Sequence, residues 1–178
     1  MQTEFEAKIL GINVDKVISK LTALGAKKVG EKMQKRFVYD FKPKRKNSWI
    51  RLRTDGAKTT ITIKEIQNDN IDGTKELEIS VNDFEKTHLF LQKLGFIAKG
   101  YQENKRISYI LNHIEIEIDF WPQIPPYLEI EGKSKKQVEM MIKKLGFAVS
   151  QSTSINTTEV YKKYEIDLNS IKELKFAP

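Results

Sequence analysis

The chain has 178 residues, with 31 Lys+Arg against 24 Asp+Glu, a formal net charge of +7 and 39% hydrophobic residues. That apolar share excludes a disordered or fibrous chain and is enough for one globular domain with its own core. There is no cysteine, which excludes disulfides, thiolate nucleophiles and sulfur-bound metals, so any metal must be held by oxygen or by the two histidines.

Segment 2–10 alternates polar and apolar residues, the pattern of a half-buried strand, with Glu4, Glu6 and Lys8 on one face and Phe5, Ala7 and Ile9 on the other. Its acidic start does not fit a signal peptide and no run of 18 apolar residues follows, so a cytoplasmic protein with no membrane partner is expected. Helical spacing over 13–24 ends at Gly25, a helix stop. Strands are predicted at 32–40, 48–54 and 58–66. The second carries Arg51 and Arg53 opposite Ile50 and Leu52, and the third carries Lys64. Between the first two, the run Lys42-Pro43-Lys44-Arg45-Lys46 fits a solvated loop better than a nucleic-acid patch. A strand over 74–81 presents Glu76 and Glu78, and a helix over 83–94 closes at Gly95. Strand 99–111 carries Arg106 with Gln102, Asn104 and Ser108. Strand 113–121 carries Glu115, Glu117 and Asp119, and strand 127–133 carries Glu129 and Glu131. A third helix over 135–145 stops at Gly146. The remainder, 151–178, is expected as a helical tail with short helices at 157–164 and 168–175, covering one mouth of a single domain that spans 1–178. Three times a Glu-x-Glu strand leads to a helix closing in Leu-Gly, an echo of one strand–helix unit.

An antiparallel sheet with one wet face would explain each strand alone. The charges, however, are sorted by sign: four strands present mainly carboxylates and three present Arg or Lys. A solvated face mixes signs, because like charges directly opposite each other destabilise a sheet. Eight strands are also enough to close a barrel. The expected fold is therefore α+β: a closed eight-stranded antiparallel β-barrel forming a tunnel, with a charged lumen and helices packed outside. Carboxylate clusters without His or Cys suit hard cations such as Mg2+ or Mn2+, and facing arginines suit bidentate phosphate contacts. Together they describe a tunnel that holds a phosphate chain between a basic wall and a metal-bearing acidic wall.

At these residues the sequence resembles the CYTH family of triphosphate tunnel metalloenzymes, which includes class IV adenylate cyclases, thiamine triphosphatases and inorganic tripolyphosphatases. Glu4-Phe5-Glu6-Ala7-Lys8 matches the family's Glu-x-Glu-x-Lys. Arg51-Leu52-Arg53, Lys64, Glu76-Leu77-Glu78, Arg106, Asp119 and Glu129-Ile130-Glu131 follow in the family's order. The likeness covers roughly residues 1–147 and is greatest to the compact cyclase-like branch. Two features depart from that branch: Arg36 stands on the polar face of its strand, and Asp119-Phe120-Trp121-Pro122-Gln123-Ile124-Pro125-Pro126-Tyr127-Leu128 replaces a glycine-containing link.

The resemblance implies an enzyme that binds Mg2+ or Mn2+ and a small-molecule triphosphate such as ATP or tripolyphosphate. Lys8, Arg36, Arg51, Arg53, Lys64 and Arg106 would grip the phosphates. Glu4, Glu6, Glu76, Glu78, Glu117, Asp119, Glu129 and Glu131 would carry metal, and Glu4, Glu6 and Lys8 would be catalytic. A cyclase joins the ribose 3′-hydroxyl to the α-phosphorus of ATP, giving cyclic AMP and pyrophosphate, whereas a hydrolase sends water to the γ-phosphorus. The resemblance puts the cyclase first, with the triphosphate hydrolase as the alternative because the machinery is shared, and a homodimer stays open too. His88 and His113 are expected to be structural, and Gly132-Lys133-Ser134 lacks the earlier glycine of a P-loop. Trp49, Phe120, Trp121 and Tyr127 either stack a base or pack. A non-catalytic polyphosphate or nucleotide binder accounts for the arginines but not for the carboxylates that share their face.

Overall fold

The computed structural model describes residues 1–177. Eight strands carry the fold: β1 (Gln2–Ile9), β2 (Lys27–Tyr39), β3 (Ser48–Thr54), β4 (Thr59–Ile66), β5 (Thr74–Val81), β6 (Ala98–Leu111), β7 (Ile114–Trp121) and β8 (Ile124–Gly132). Each pairs with two antiparallel neighbours in the cyclic order β1-β5-β4-β3-β2-β6-β7-β8, and β8 returns to β1. The sheet is thus a closed barrel with the charged face inward, as the alternation predicts.

The reason for this polarity lies outside the barrel. Helices α1 (Val14–Ala23) and α3 (Lys135–Lys144) bring Val17, Leu21, Val138, Met141 and Ile142 onto the outward residues Ala7, Ile9, Ile116, Ile118 and Ile130. Helix α2 (Phe84–Lys93) seals Tyr39, Ile50 and Leu52 with Phe84 and Leu91. Helix α4 (Thr157–Lys162) joins Val160 and Tyr161 to Trp121, Ile124 and Tyr127. The cores under α1, α2 and α3 therefore lie between barrel and helices, while the α4 cluster sits at the cavity, where Trp121 and Tyr127 line the lumen beside its charged groups. Each helix begins at a residue whose side chain accepts a backbone N–H: Asn13, Asp83, Ser134 and Asn156. Ser134 belongs to such a cap, as expected of a helix start and not of a P-loop. No helix of the described residues is long and apolar enough to cross a membrane.

Three segments differ from the sequence reading. β2 starts at Lys27 and not at 32, because its exposed first turn of strand pairs with the end of β6, Lys27 with Ile110. β8 starts at Ile124 and includes Pro125 and Pro126, which a central strand seldom tolerates. The β7–β8 register shifts at this point, between Asp119 and Trp121. The helix expected at 168–175 is a 3-10 turn over Leu168–Ser170 followed by β10 (Glu173–Leu174), parallel to β6 at Tyr101 and Gln102. Another two-residue strand, β9 (Ser152–Thr153), lies against β1 at Lys8 and Ile9.

Candidate active site

The lumen is a cavity of about 750 Å³ lined by side chains from all eight barrel strands and from the tail, where Asn156, Thr157 and Glu159 face it. On the acidic side, β1, β8 and β7 put like charges directly across from each other: Glu6 from Glu131 and Glu117 from Glu129. Such pairs are unfavourable unless cations lie between them. Arg106 lies between Glu117 and Glu129, while Lys8 joins Glu6 to Glu129 and leaves Glu131 without a cation between it and Glu6. Lys8, 5% exposed, pairs with Glu6 and lies 3.4 Å from Glu129. Arg106 closes a clamp in which Nε and Nη2 donate to Asp119 at 2.8 and 2.6 Å, Nη2 donates to Glu129 at 2.9 Å, and Nη1 pairs with Glu117. Burial opposes the guanidinium's charge, but Asp119, Glu117 and Glu129 raise its pKa well above the ordinary value. Burial also pushes Glu129 upward, yet Arg106 and Lys8 hold it far below the usual carboxylate range.

Glu4, Glu6 and Glu131 bring one oxygen each within 4.8 Å of one another. Three converging carboxylates with no nitrogen or sulfur donor fit a hard divalent cation of the Mg2+ or Mn2+ kind. Glu4 is also bonded by Lys64 Nζ at 2.7 and 2.9 Å. Burial pulls its pKa up, and the Lys64 charge and hydrogen bond more than reverse this. Glu76 is the other partner of Lys64, at 3.3 Å. Burial, aided by the neighbouring Glu4 charge, raises its pKa against the pull of Lys64.

Burial, then Glu4, Glu129 and Glu115, push Glu131 from 4.5 up to about 7. A carboxyl with a raised folded pKa holds its proton more tightly when folded, so its stabilising contribution is present at low pH and is withdrawn as pH rises from about 4.5 to 7. Glu131→Gln should therefore raise the Tm of the protein in EDTA at pH 8 by roughly 2–4 °C per kcal/mol relieved, and leave it unchanged at pH 4. Calorimetry at the two pH values checks this; equal shifts at both contradict it.

The basic wall is built by β2, β3 and β4. Arg36 stands directly across from Arg53. Burial lowers the Arg36 pKa to about 9, helped by Arg51, Arg53 and Arg106, and Arg51 followed by burial lowers Arg53 to about 10. Both remain cationic at neutral pH, and the share of each shift that comes from neighbouring arginines reflects positive charge crowded on this wall. Its counter-ions are sparse: Glu78 lies 3.7 Å from Arg51 and 3.8 Å from Arg53, and accepts a 2.9 Å hydrogen bond from Thr62. Arg36 donates to two neutral oxygens, Gln34 Oε1 and Asn104 Oδ1.

The sequence-predicted site residues line this one lumen, except Asp119, which is fully buried and bonded to Arg106. Apart from Lys8, which joins Glu6 to Glu129, they fall into three groups. Glu4, Glu6 and Glu131 form the carboxylate triad, with Glu76 beside it across Lys64. Arg36, Arg51 and Arg53 form the basic wall, with Glu78 between the last two. Arg106 is enclosed by Glu117, Asp119 and Glu129. Alternation assigns a face and not a neighbour, so neither this clamp nor the roles of Asn104 and Thr62 could be read from the sequence. His88 lies outside the barrel, stacked on Phe37 at 3.8 Å and bonded to the Tyr39 hydroxyl at 2.6 Å, and so is structural as expected.

The CYTH domain profile matches residues 2–161. A Methanocaldococcus jannaschii protein named "Putative adenylate cyclase" is 25% identical over 181 residues, spanning 94% of this chain and 99% of that one. A conserved hypothetical protein of Pyrococcus furiosus has the same fold, with a TM-score of 0.77 at 24% identity over 88% of this chain and 99% of that one. So does a Hippeastrum protein described as a "putative adenylyl cyclase" with a dominant triphosphatase activity, with a TM-score of 0.61 at 13% identity over 95% of this chain and 99% of that one. The tunnel, its sorted walls and a profile match over most of the chain lead to one conclusion: the chain belongs to the CYTH family.

Proposed function

We propose that the protein is a divalent-metal-dependent enzyme that cleaves a triphosphate held along the tunnel. One observation carries this reading: a wall with more buried guanidinium charge than counter-charge faces a wall where three carboxylates converge. A chain of phosphates with a bound cation complements both at once. Arg51 and Arg53, with Arg36, present forked donors that match phosphate oxygens two at a time. Lys8 stands at the edge of the acidic wall, where it stabilises negative charge as it grows on the departing phosphate. Glu4, Glu6 and Glu131 would hold the cation, which neutralises phosphate oxygens and raises the electrophilicity of phosphorus. A binder without catalysis would be weakened by that triad.

Water is the nucleophile favoured by the lining. Its oxygen bonds to the terminal phosphorus and the bridging P–O bond breaks. The electron pair of that bond goes to the bridging oxygen of the shortened chain, which takes up the proton that water loses, and orthophosphate and the shortened chain are the two products. Two aromatic rings that a nucleobase would need are already engaged: Trp121 is packed between Arg36 and Tyr161, and Tyr127 is 1% exposed. The cyclase reading rests on Trp49, a partly buried aromatic residue on the cavity lining that is free to meet a base, and on the name of the Methanocaldococcus relative. Incubation with ATP or tripolyphosphate and Mg2+, Mn2+ or EDTA, followed by chromatography, separates the two. Orthophosphate formed faster from tripolyphosphate than from ATP, and none in EDTA, is the expected result. Cyclic AMP with pyrophosphate would establish the cyclase, and metal-independent binding without turnover would defeat both.

A further inference from the structure

Trp121 ends β7 just before the Trp121–Ile124 turn, lines the cavity and is 3% exposed. Its ring is fixed on both sides. The Arg36 guanidinium carbon lies 4.5 Å from the centroid, and Tyr161 of α4 meets the indole edge-on at 6.2 Å and 83°. Tyr161 is itself tied down, its hydroxyl donating to the Pro122 carbonyl at 2.7 Å. Yet the Trp121 Nε1–H is fully buried and has no hydrogen-bond partner among the described residues, and the same is true of Arg36 Nε. Orphaned buried donors are rare because each forfeits its bond to water without replacement. Both orphans belong to residues that line the cavity, so a small shift of the indole and the guanidinium would bring the two donors to an acceptor held there. Arg36 turns Nη2 to the neutral oxygens Gln34 Oε1 and Asn104 Oδ1 and leaves Nε without one. A donor-only subsite that includes a guanidinium selects an anionic oxygen over the mixed donor–acceptor edge of a nucleobase.

We infer that Trp121 Nε1–H and Arg36 together bind a phosphoryl oxygen of the substrate, which makes Trp121 a specificity-determining residue of the tunnel. The inference rests on the triphosphate reading above and deepens it: this end of the cavity receives phosphate and not the organic part of a nucleotide. Tyr161 is then a positioning residue, acting on substrate only through the indole.

The chain has two tryptophans, so the ¹⁵N-labelled protein shows two indole N–H signals, and Trp49→Phe identifies that of Trp121. The probe is imidotriphosphate, whose bridging nitrogens resist cleavage, added with Mg2+ and followed in parallel by calorimetric titration. The Trp121 indole proton is expected to move downfield on saturation. Trp121→Phe, which keeps a ring under Arg36 but removes the donor, is expected to bind the probe about tenfold more weakly, the weight of one hydrogen bond to a charged group. If the probe binds with normal heat while the Trp121 signal stays still and Trp121→Phe binds like the unaltered protein, the donor meets a resident water only and the inference falls, with the triphosphate reading intact. If the probe does not bind at all, the triphosphate reading itself fails. The proton shift is read on the unaltered side chain, so poor folding of Trp121→Phe would not remove the test.

Discussion

Glu6→Gln should lower metal-dependent triphosphate turnover by about a hundredfold or more at fixed Mg2+, while the protein folds as before. The loss follows from the site: Glu6 is one of three carboxylates within 4.8 Å of one another, and even groups that merely orient metal ligands cost about 10–100-fold when removed. Folding should be spared because the substitution relieves a like-charge pair, Glu6 across from Glu131, and because Lys8 keeps Glu129 at 3.4 Å as its counter-ion. The Tm is expected to stay level or rise. Steady-state rates across a Mg2+ titration, with a thermal melt of the same sample, provide the check. Normal turnover at ordinary Mg2+ would remove Glu6 from the metal site.

Arg106→Met should act in the opposite way, on stability first. Arg106 is the shared counter-ion of Glu117, Asp119 and Glu129, and Asp119 is fully buried. Removing one partner of a buried ion pair costs about 3–5 kcal/mol because the remaining charge is stranded, which in a chain of this size lowers Tm by roughly 10 °C. Glu117, whose pKa burial already raises, would lose its guanidinium partner and hold its proton still more tightly in the folded state than in the unfolded one. Stability of the variant should then recover as pH falls, so its deficit is smaller at pH 5 than at pH 8. Denaturant titrations at both values decide it. A mild, pH-independent loss of stability combined with a large loss of triphosphate affinity would instead put Arg106 among the phosphate ligands.

Much of this was legible in the chain itself, for reasons that particular residues make plain. A strand's alternation dictates which side chains share a face, so Glu4, Glu6 and Lys8, or Arg51 and Arg53, were bound to appear together. The helix starts at Asn13 and Asp83 and the stops at Gly25 and Gly95 are local chemistry, and local chemistry survives in sequence. What alternation lacks is the identity of the neighbour across the sheet. That Arg106 faces Asp119 while Arg36 faces Arg53 depends on register, which long-range closure sets. Tail residues Ile171 to Leu174 carry a helix-compatible pattern, yet β6 offers an open edge at Tyr101 and Gln102, and Glu173 and Leu174 take it as a strand. Trp121 was ambiguous between packing and binding because an indole does both with different atoms: its faces pack, and its N–H is left over.

The order in which the ring closes has a consequence for how the protein is made. β1 is bonded to β5 through three register pairs and to β8 through five, from Phe5–Gly132 to Ile9–Leu128. At roughly 5–20 residues per second, the ribosome delivers residue 132 some 6–25 s after residue 5. During that interval the first strand carries its alternating Phe5, Ala7 and Ile9 without its main partner. Contacts this distant in sequence also slow folding, because the long loop must be closed before any pairing rewards it. Refolding should therefore be slow and prone to aggregation at high concentration, and Glu4, Glu6 and Lys8 act during those seconds as charges that keep the waiting strand from pairing with a neighbour's.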